Sequence, residues 1–235
     1  YDHNYRGPVT LRNALAQSIN VPSVKTLYLA GIRDSLDLMK EMGISSLNDP
    51  DRYGLTLVLG GGEVSLLELT SAYSVFANGG ARNPPVGLLR VEDKGGNALE
   101  QYRDDSKQVL DKNIALTISD ILSDNRARAP AFGENSPLYF PDRPVAAKTG
   151  TTNDYKDAWV LGYTPSLAVG AWFGNNDNTP MEKMVAGFIV APMWNEFLME
   201  AFKDLPKEEF EKPKKTRGNK PFLNGEWLGG QTYLV

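Results

Sequence analysis

The chain has no cysteine and a single histidine, His3, close to its first residue. The first absence excludes disulfides, thiol catalysis and cysteine-held metals, and leaves the compartment open. The second excludes a multi-histidine metal centre, and any Ser-His-Asp triad would have to rest on His3. No metal and no cofactor are therefore expected. No apolar run is long enough to span a bilayer, and the first residues do not form a signal peptide. The net charge of −4 gives no basic surface for nucleic acid or for an anionic membrane.

What is there is an ordinary globular balance over 235 residues, 41% hydrophobic and 23% charged, enough for a sizeable core. The opening Tyr1-Asp-His-Asn-Tyr-Arg-Gly7 reads as the middle of something, so the chain is expected to be a portion of a longer protein. The densest chemistry lies in Arg143-Pro-Val-Ala-Ala-Lys-Thr-Gly-Thr-Thr-Asn-Asp154. On a strand, Lys148 and Gly150 share one face and Thr149 and Thr151 the other. A cation, hydroxyls and a bare backbone position suit an extended acyl or carboxylate-bearing ligand lying along the strand. Taken alone, the string also reads as a strand end entering a turn. It is not a P-loop, because Ala146 and Ala147 stand where glycines are needed.

Thr10 is placed to cap a first helix with Leu11, Ala14, Leu15 and Ser18 on one face, stopping near Asn20 ahead of Pro22. Pro22 opens a second helix that ends at Gly31, so Ser18-Ile19-Asn20 occupies the joint. Capping explains a serine and an asparagine there equally well. A third helix is predicted from about Asp34 to Met42, an extended stretch from Tyr53 to Leu59, and a helix from the capping box Ser65-Leu-Leu-Glu68 to Asn78-Gly-Gly80. Leu88–Val91 and Ala98–Tyr102 form a surface hairpin, Asp111 caps another helix, and Arg126 to Asp142 reads as a Pro-rich loop. Val145–Thr151, Ala158–Tyr163 and Leu167–Phe173 are expected as an antiparallel meander. Pro192 opens a last helix across the sheet, with Trp194, Phe197, Leu198, Ala201 and Phe202 as its stripe. The division expected is 1–142 mainly helical, 143–202 sheet and helix, and 203–235 a charged linker or tail.

Ser18-Ile19-Asn20 and Lys148-Thr149-Gly150 resemble the second and third signature motifs of penicillin-binding proteins and serine β-lactamases. Arg6-Gly-Pro-Val-Thr-Leu-Arg12, Leu59-Gly-Gly-Gly-Glu-Val-Ser65, Phe76-Ala-Asn-Gly-Gly80 and Asp157-Ala-Trp159 narrow the likeness to the transpeptidase domain of class A, bifunctional penicillin-binding proteins. The resemblance implies the α/β (α+β) fold of that family, an antiparallel sheet covered by helices plus a helical subdomain, here incomplete at the N-terminus. It implies a peptidoglycan D,D-transpeptidase, with D-Ala-D-Ala stem peptides and β-lactams as ligands. The protein would lie on the extracytoplasmic face of the bacterial membrane, anchored by a segment outside this chain. Ser18, Asn20 and Lys148 would be catalytic: Ser18 relaying protons, Asn20 bonding the substrate amide, Lys148 supplying charge. Thr149, Gly150, Thr151 and Thr152 would bind substrate, with the Thr151 amide as half of an oxyanion hole.

One departure stands out. The family's first motif, Ser-x-x-Lys, holds nucleophile and base, and no serine in this chain has lysine three positions on. The reading is therefore a transpeptidase portion that is inactive alone, with the upstream part of the same protein, carrying Ser-x-x-Lys, as its partner. A helix absent from this chain would leave an apolar groove exposed. The alternative is a non-catalytic relative that binds D-Ala-D-Ala peptides reversibly.

Overall fold

A computed structural model describes residues 6–181, 185–215, 218 and 224. His3 and most of the stretch beyond 215 lie outside the described residues.

The helical part comes first. Thr10 caps α1 (Leu11–Ala16) through its hydroxyl, which accepts the Asn13 amide. The buried residues of α1 are Ala14 and Ala16, whereas Leu11, expected inside, is 70% exposed. Helix α2 (Asn20–Ala30) begins two residues before Pro22 and ends at Gly31, and α3 (Ile32–Glu41) follows. The stretch expected as extended is a 3-10 turn, Leu55–Leu59, because Gly54 and Gly60 bracket it and the chain closes on itself: the Gly60 amide donates to Leu57 O and that of Gly61 to Thr56 O. Helix α4 (Leu66–Ala77) starts at Ser65, whose hydroxyl accepts the Glu68 amide. Glu68 does not complete the box; its carboxylate takes the amide and hydroxyl of Ser45 and so ties α4 to the loop after α3. These elements bury Leu27, Leu36, Met42, Ile44, Leu57 and Val75 in one cluster.

Strands β1 (Ala81–Arg82), β2 (Arg90–Glu92), β3 (Ala98–Gln101) and β4 (Lys107–Gln108) form two small ribbons, β1 with β4 and the expected hairpin β2 with β3. Asp111 caps α5 (Lys112–Leu122), accepting the Asn113 and Ile114 amides. The region expected as a loop holds α6 (Asn125–Phe132). Asp124 caps it through the Ala127 amide and Gly133 ends it at φ +86°; Pro130 costs one intrahelical bond, to the exposed Arg126, and does not break it.

Strands β5 (Ala146–Thr151), β6 (Asp157–Tyr163) and β7 (Ala168–Gly174) form the antiparallel meander in the order β5-β6-β7, with Lys148 opposite Leu161 and Gly150 opposite Trp159. Helix α7 (Ala186–Ala201) crosses one face. It starts earlier than expected, with Pro192 inside, and buries Ala186, Val190, Trp194 and Leu198 against Ala147, Val160 and Ala158. Phe197, expected in that stripe, is 58% exposed. On the other face α4 approaches so closely that a Cβ at Gly170 would meet the Thr70 hydroxyl. The charged segment after α7 lies along the body as far as it is described. Phe210 is buried against Tyr163, and the Lys214 amide donates to Asn113.

Candidate active site

The joint between α1 and α2 has a defined geometry. The Ile19 amide donates to Ala14 O at 2.9 Å and the Ser18 amide to Leu15 O at 3.2 Å. This pair of bonds closes a Schellman motif, whose αL position usually holds glycine. Here Ser18 holds it, at φ +59°. A side chain is therefore kept where the backbone favours none, and it is in use: Lys148 Nζ donates to Ser18 Oγ at 2.7 Å across 130 positions of sequence. The expectation that Ser18 continues the α1 face fails, because the helix has already ended at Ala16. Asn20 stands exposed at the first position of α2.

On β5, the Thr152 amide donates to Asp157 O at 3.1 Å. By antiparallel alternation the main-chain groups of Gly150 and Lys148 also turn to β6, and those of Ala147, Thr149 and Thr151 turn outward to an edge that pairs with no strand among the described residues. Two outward carbonyls are taken by cations: Lys148 Nζ donates to Thr149 O at 2.7 Å and Arg128 Nη1 to Ala147 O at 3.4 Å. The amides of Thr149 and Thr151 face outward beside the ammonium. Side chains follow the expected alternation. Ala147 lies in the α7 cluster, the Thr151 hydroxyl accepts the Ala186 amide at the start of α7, and exposed Gly150 stands beside Trp159. Thr152 belongs to the turn: its hydroxyl donates to Asp157 Oδ2 and accepts the Asp157 amide.

Burial, and after it the positive charge of Arg128, push the Lys148 amine down to about 8. The site thus sets a lysine whose proton is held less tightly than usual, bonded to a hydroxyl and to a carbonyl of the outward strand edge. Ser18 and Lys148, both named as site residues from the sequence, are in contact in the structure. The sequence reading missed Arg128, which lies in the stretch taken for a loop, and Asp157, which holds Thr152 and, through Oδ1, the Trp172 indole at 2.9 Å. The bracket of Asp124 and Gly133 was the available signal for α6.

The family model of the penicillin binding protein transpeptidase domain matches residues 1–197. The chain belongs to the penicillin-binding protein transpeptidase family. Penicillin-binding protein 1A of Aquifex aeolicus is 36% identical over 215 residues, covering 91% of this chain and 28% of that protein. Penicillin-binding protein 2D of Bacillus subtilis is 31% identical over 225 residues, 92% of this chain and 32% of that protein. The chain thus spans about three-tenths of the length of such relatives. Among solved structures, PonA1 of Mycobacterium tuberculosis in complex with penicillin V gives a TM-score of 0.76 at 24% identity, covering 87% of this chain and 59% of that one. Penicillin-binding protein 1A of Haemophilus influenzae gives 0.77 at 23% identity, covering 89% and 37%. These likenesses extend the transpeptidase fold over most of the chain. Among the described residues no helix is long and apolar enough to cross a membrane.

Proposed function

We propose that these residues form the proton-relay and substrate-docking half of a peptidoglycan D,D-transpeptidase. The observation that carries this reading is the Ser18–Lys148 hydrogen bond beside an unpaired strand edge. A stem peptide ending in D-Ala-D-Ala would add to β5 as a further strand, its main chain bonding the outward groups of Thr149 and Thr151. Its terminal carboxylate would meet the Lys148 ammonium at this edge. The Thr151 amide would face the carbonyl oxygen under attack and stabilise its developing charge.

The reaction is an acyl transfer in two steps. A serine attacks the carbonyl of the penultimate D-alanine, the peptide bond breaks, and the terminal D-alanine leaves with the serine's proton. An amine of a second strand then attacks the acyl-serine, gives up a proton and restores the serine. Ser18 would pass these protons, a role supported by its hydrogen bond to Lys148, whose own proton is loosely held. Asn20, on the same side of the joint, would bond the substrate amide. Since no serine here has lysine three positions on, the nucleophile comes from residues outside these 235, and the chain is inactive alone. Val21, Tyr28 and Leu29 of α2, 65 to 82% exposed, are the apolar surface such a segment would cover.

An N-acylated D-Ala-D-Ala peptide titrated into the labelled protein tests the docking mode. The Thr149 and Thr151 amide resonances are expected to move together and saturably, and the shifts to be lost with a D-Ala-L-Ala peptide. Shifts confined to other surfaces would refute the reading.

A further inference from the structure

We propose that Arg128 is a positioning residue for Lys148: a buried guanidinium, bonded to main-chain carbonyls and to no carboxylate, that holds a positive charge behind the amine. The inference deepens the transpeptidase reading, but its test reads one lysine and needs no turnover.

Arg128 is 3% exposed and forms no ion pair among the described residues. Its partners are main-chain carbonyls from three segments: Leu122 O at the end of α5, Leu138 O in the loop before β5, and Ala147 O on β5, at 3.2, 3.3 and 3.4 Å. A guanidinium buried without a carboxylate is a costly choice if its task is only to join segments, because dipoles compensate a charge less well than an opposite charge. Burial brings its own proton affinity down to about 10, with the charge of Asp124 opposing the fall.

The placement gives that charge a use. Ala147 directly precedes Lys148, and its carbonyl is the first outward acceptor on the edge. Bonded to it, the guanidinium is anchored one residue from Lys148, on the same edge where the ammonium bonds Thr149 O. The same charge opposes protonation of Lys148, in the direction that burial also drives it. Among the groups on the elements packed nearby, only Asp124 acts on this charge. Ser18 is neutral. Tyr73 on α4 and Tyr163 on β6 are held in the neutral form by burial. Asp120 on α5 is engaged by Arg12 and Lys212, and Asp124, before α6, by Arg12.

The test is competitive labelling of amines with acetic anhydride across about pH 6 to 11, with the Lys148 peptide quantified by mass spectrometry. In the parent protein Lys148 is expected to titrate well below the surface lysines. Arg128→Gln is expected to raise its midpoint and slow its labelling near neutral pH by about three- to tenfold. Leu138→Ala loosens the same packing while leaving the charge, and is expected to lower stability with the Lys148 midpoint unmoved. Equal midpoints in the parent and Arg128→Gln, or equal shifts in both variants, would reduce Arg128 to a structural tie. Should Arg128→Gln not fold, Arg128→Met, close in volume and uncharged, carries the same comparison. An ordinary lysine midpoint in the parent overturns the proposal with no variant at all.

Discussion

Ser18 offers a sharp test, because the site holds a side chain where the backbone favours glycine. At φ +59° an L-residue other than glycine, asparagine or aspartate carries roughly 1–2 kcal/mol of strain. Ser18→Ala keeps that strain and loses the hydroxyl that accepts from Lys148, a bond to a charged donor worth about 1.5–3 kcal/mol at most and less at a part-exposed position. Ser18→Gly loses the same bond but relieves the strain, against about 0.5–1 kcal/mol of extra chain entropy in the unfolded state. The glycine variant should therefore be the more stable of the two by about 1 kcal/mol, the reverse of the order inside a helix. Urea unfolding by linear extrapolation reads this directly, with the two variants expected to share a slope and differ in midpoint. An alanine variant equal to or more stable than the glycine variant would refute the left-handed Schellman geometry.

Gly162→Ala would drive a Cβ into Cζ2 of Trp194 and to 2.8 Å from Ala146 O, so it should cost about 1–3 kcal/mol of stability; Trp194→Phe in the same chain should recover part of that in a double-mutant cycle, and simple additivity would contradict the packing. The pH dependence of stability should carry two signs. Between about pH 8 and 10 the unfolded chain holds more protons on Lys148 than the folded one, so stability rises, by at most about 1.4 kcal/mol per pH unit. Above pH 10 the trend reverses, because buried Tyr73 and Tyr163 stay protonated while their unfolded counterparts ionise. Lys148→Met should abolish the rise and leave the fall; a rise that persists in this variant would exclude Lys148 as its source.

The parts of the fold that were legible in the sequence are those with local causes. Thr10, Ser65 and Asp111 sit where a cap must sit, and Val145–Phe173 alternates between turns rich in Gly, Pro, Asn and Asp. The meander follows, and with it the alternation of Lys148 and Thr149. What was not legible has non-local causes. Helix α7 extends back to Ala186, where the Thr151 hydroxyl, 35 positions earlier, takes its first amide, so Pro192 is interior and not an opener. Helix α6 differs: its local bracket, Asp124 and Gly133, was there to be read, and the helix continues through Pro130, which removes a single bond. At the site, motif spacing named Ser18 and Lys148, but nothing in the spacing indicates a left-handed serine or a buried arginine behind the lysine.

The central claim is that these residues supply the relay and the docking edge while another segment supplies the nucleophile. Intact mass of the 235-residue protein before and after incubation with a penicillin tests it most directly. The account expects the mass to stay at 25.9 kDa with no adduct. A covalent adduct, mapped to any serine within these 235 residues, would contradict it.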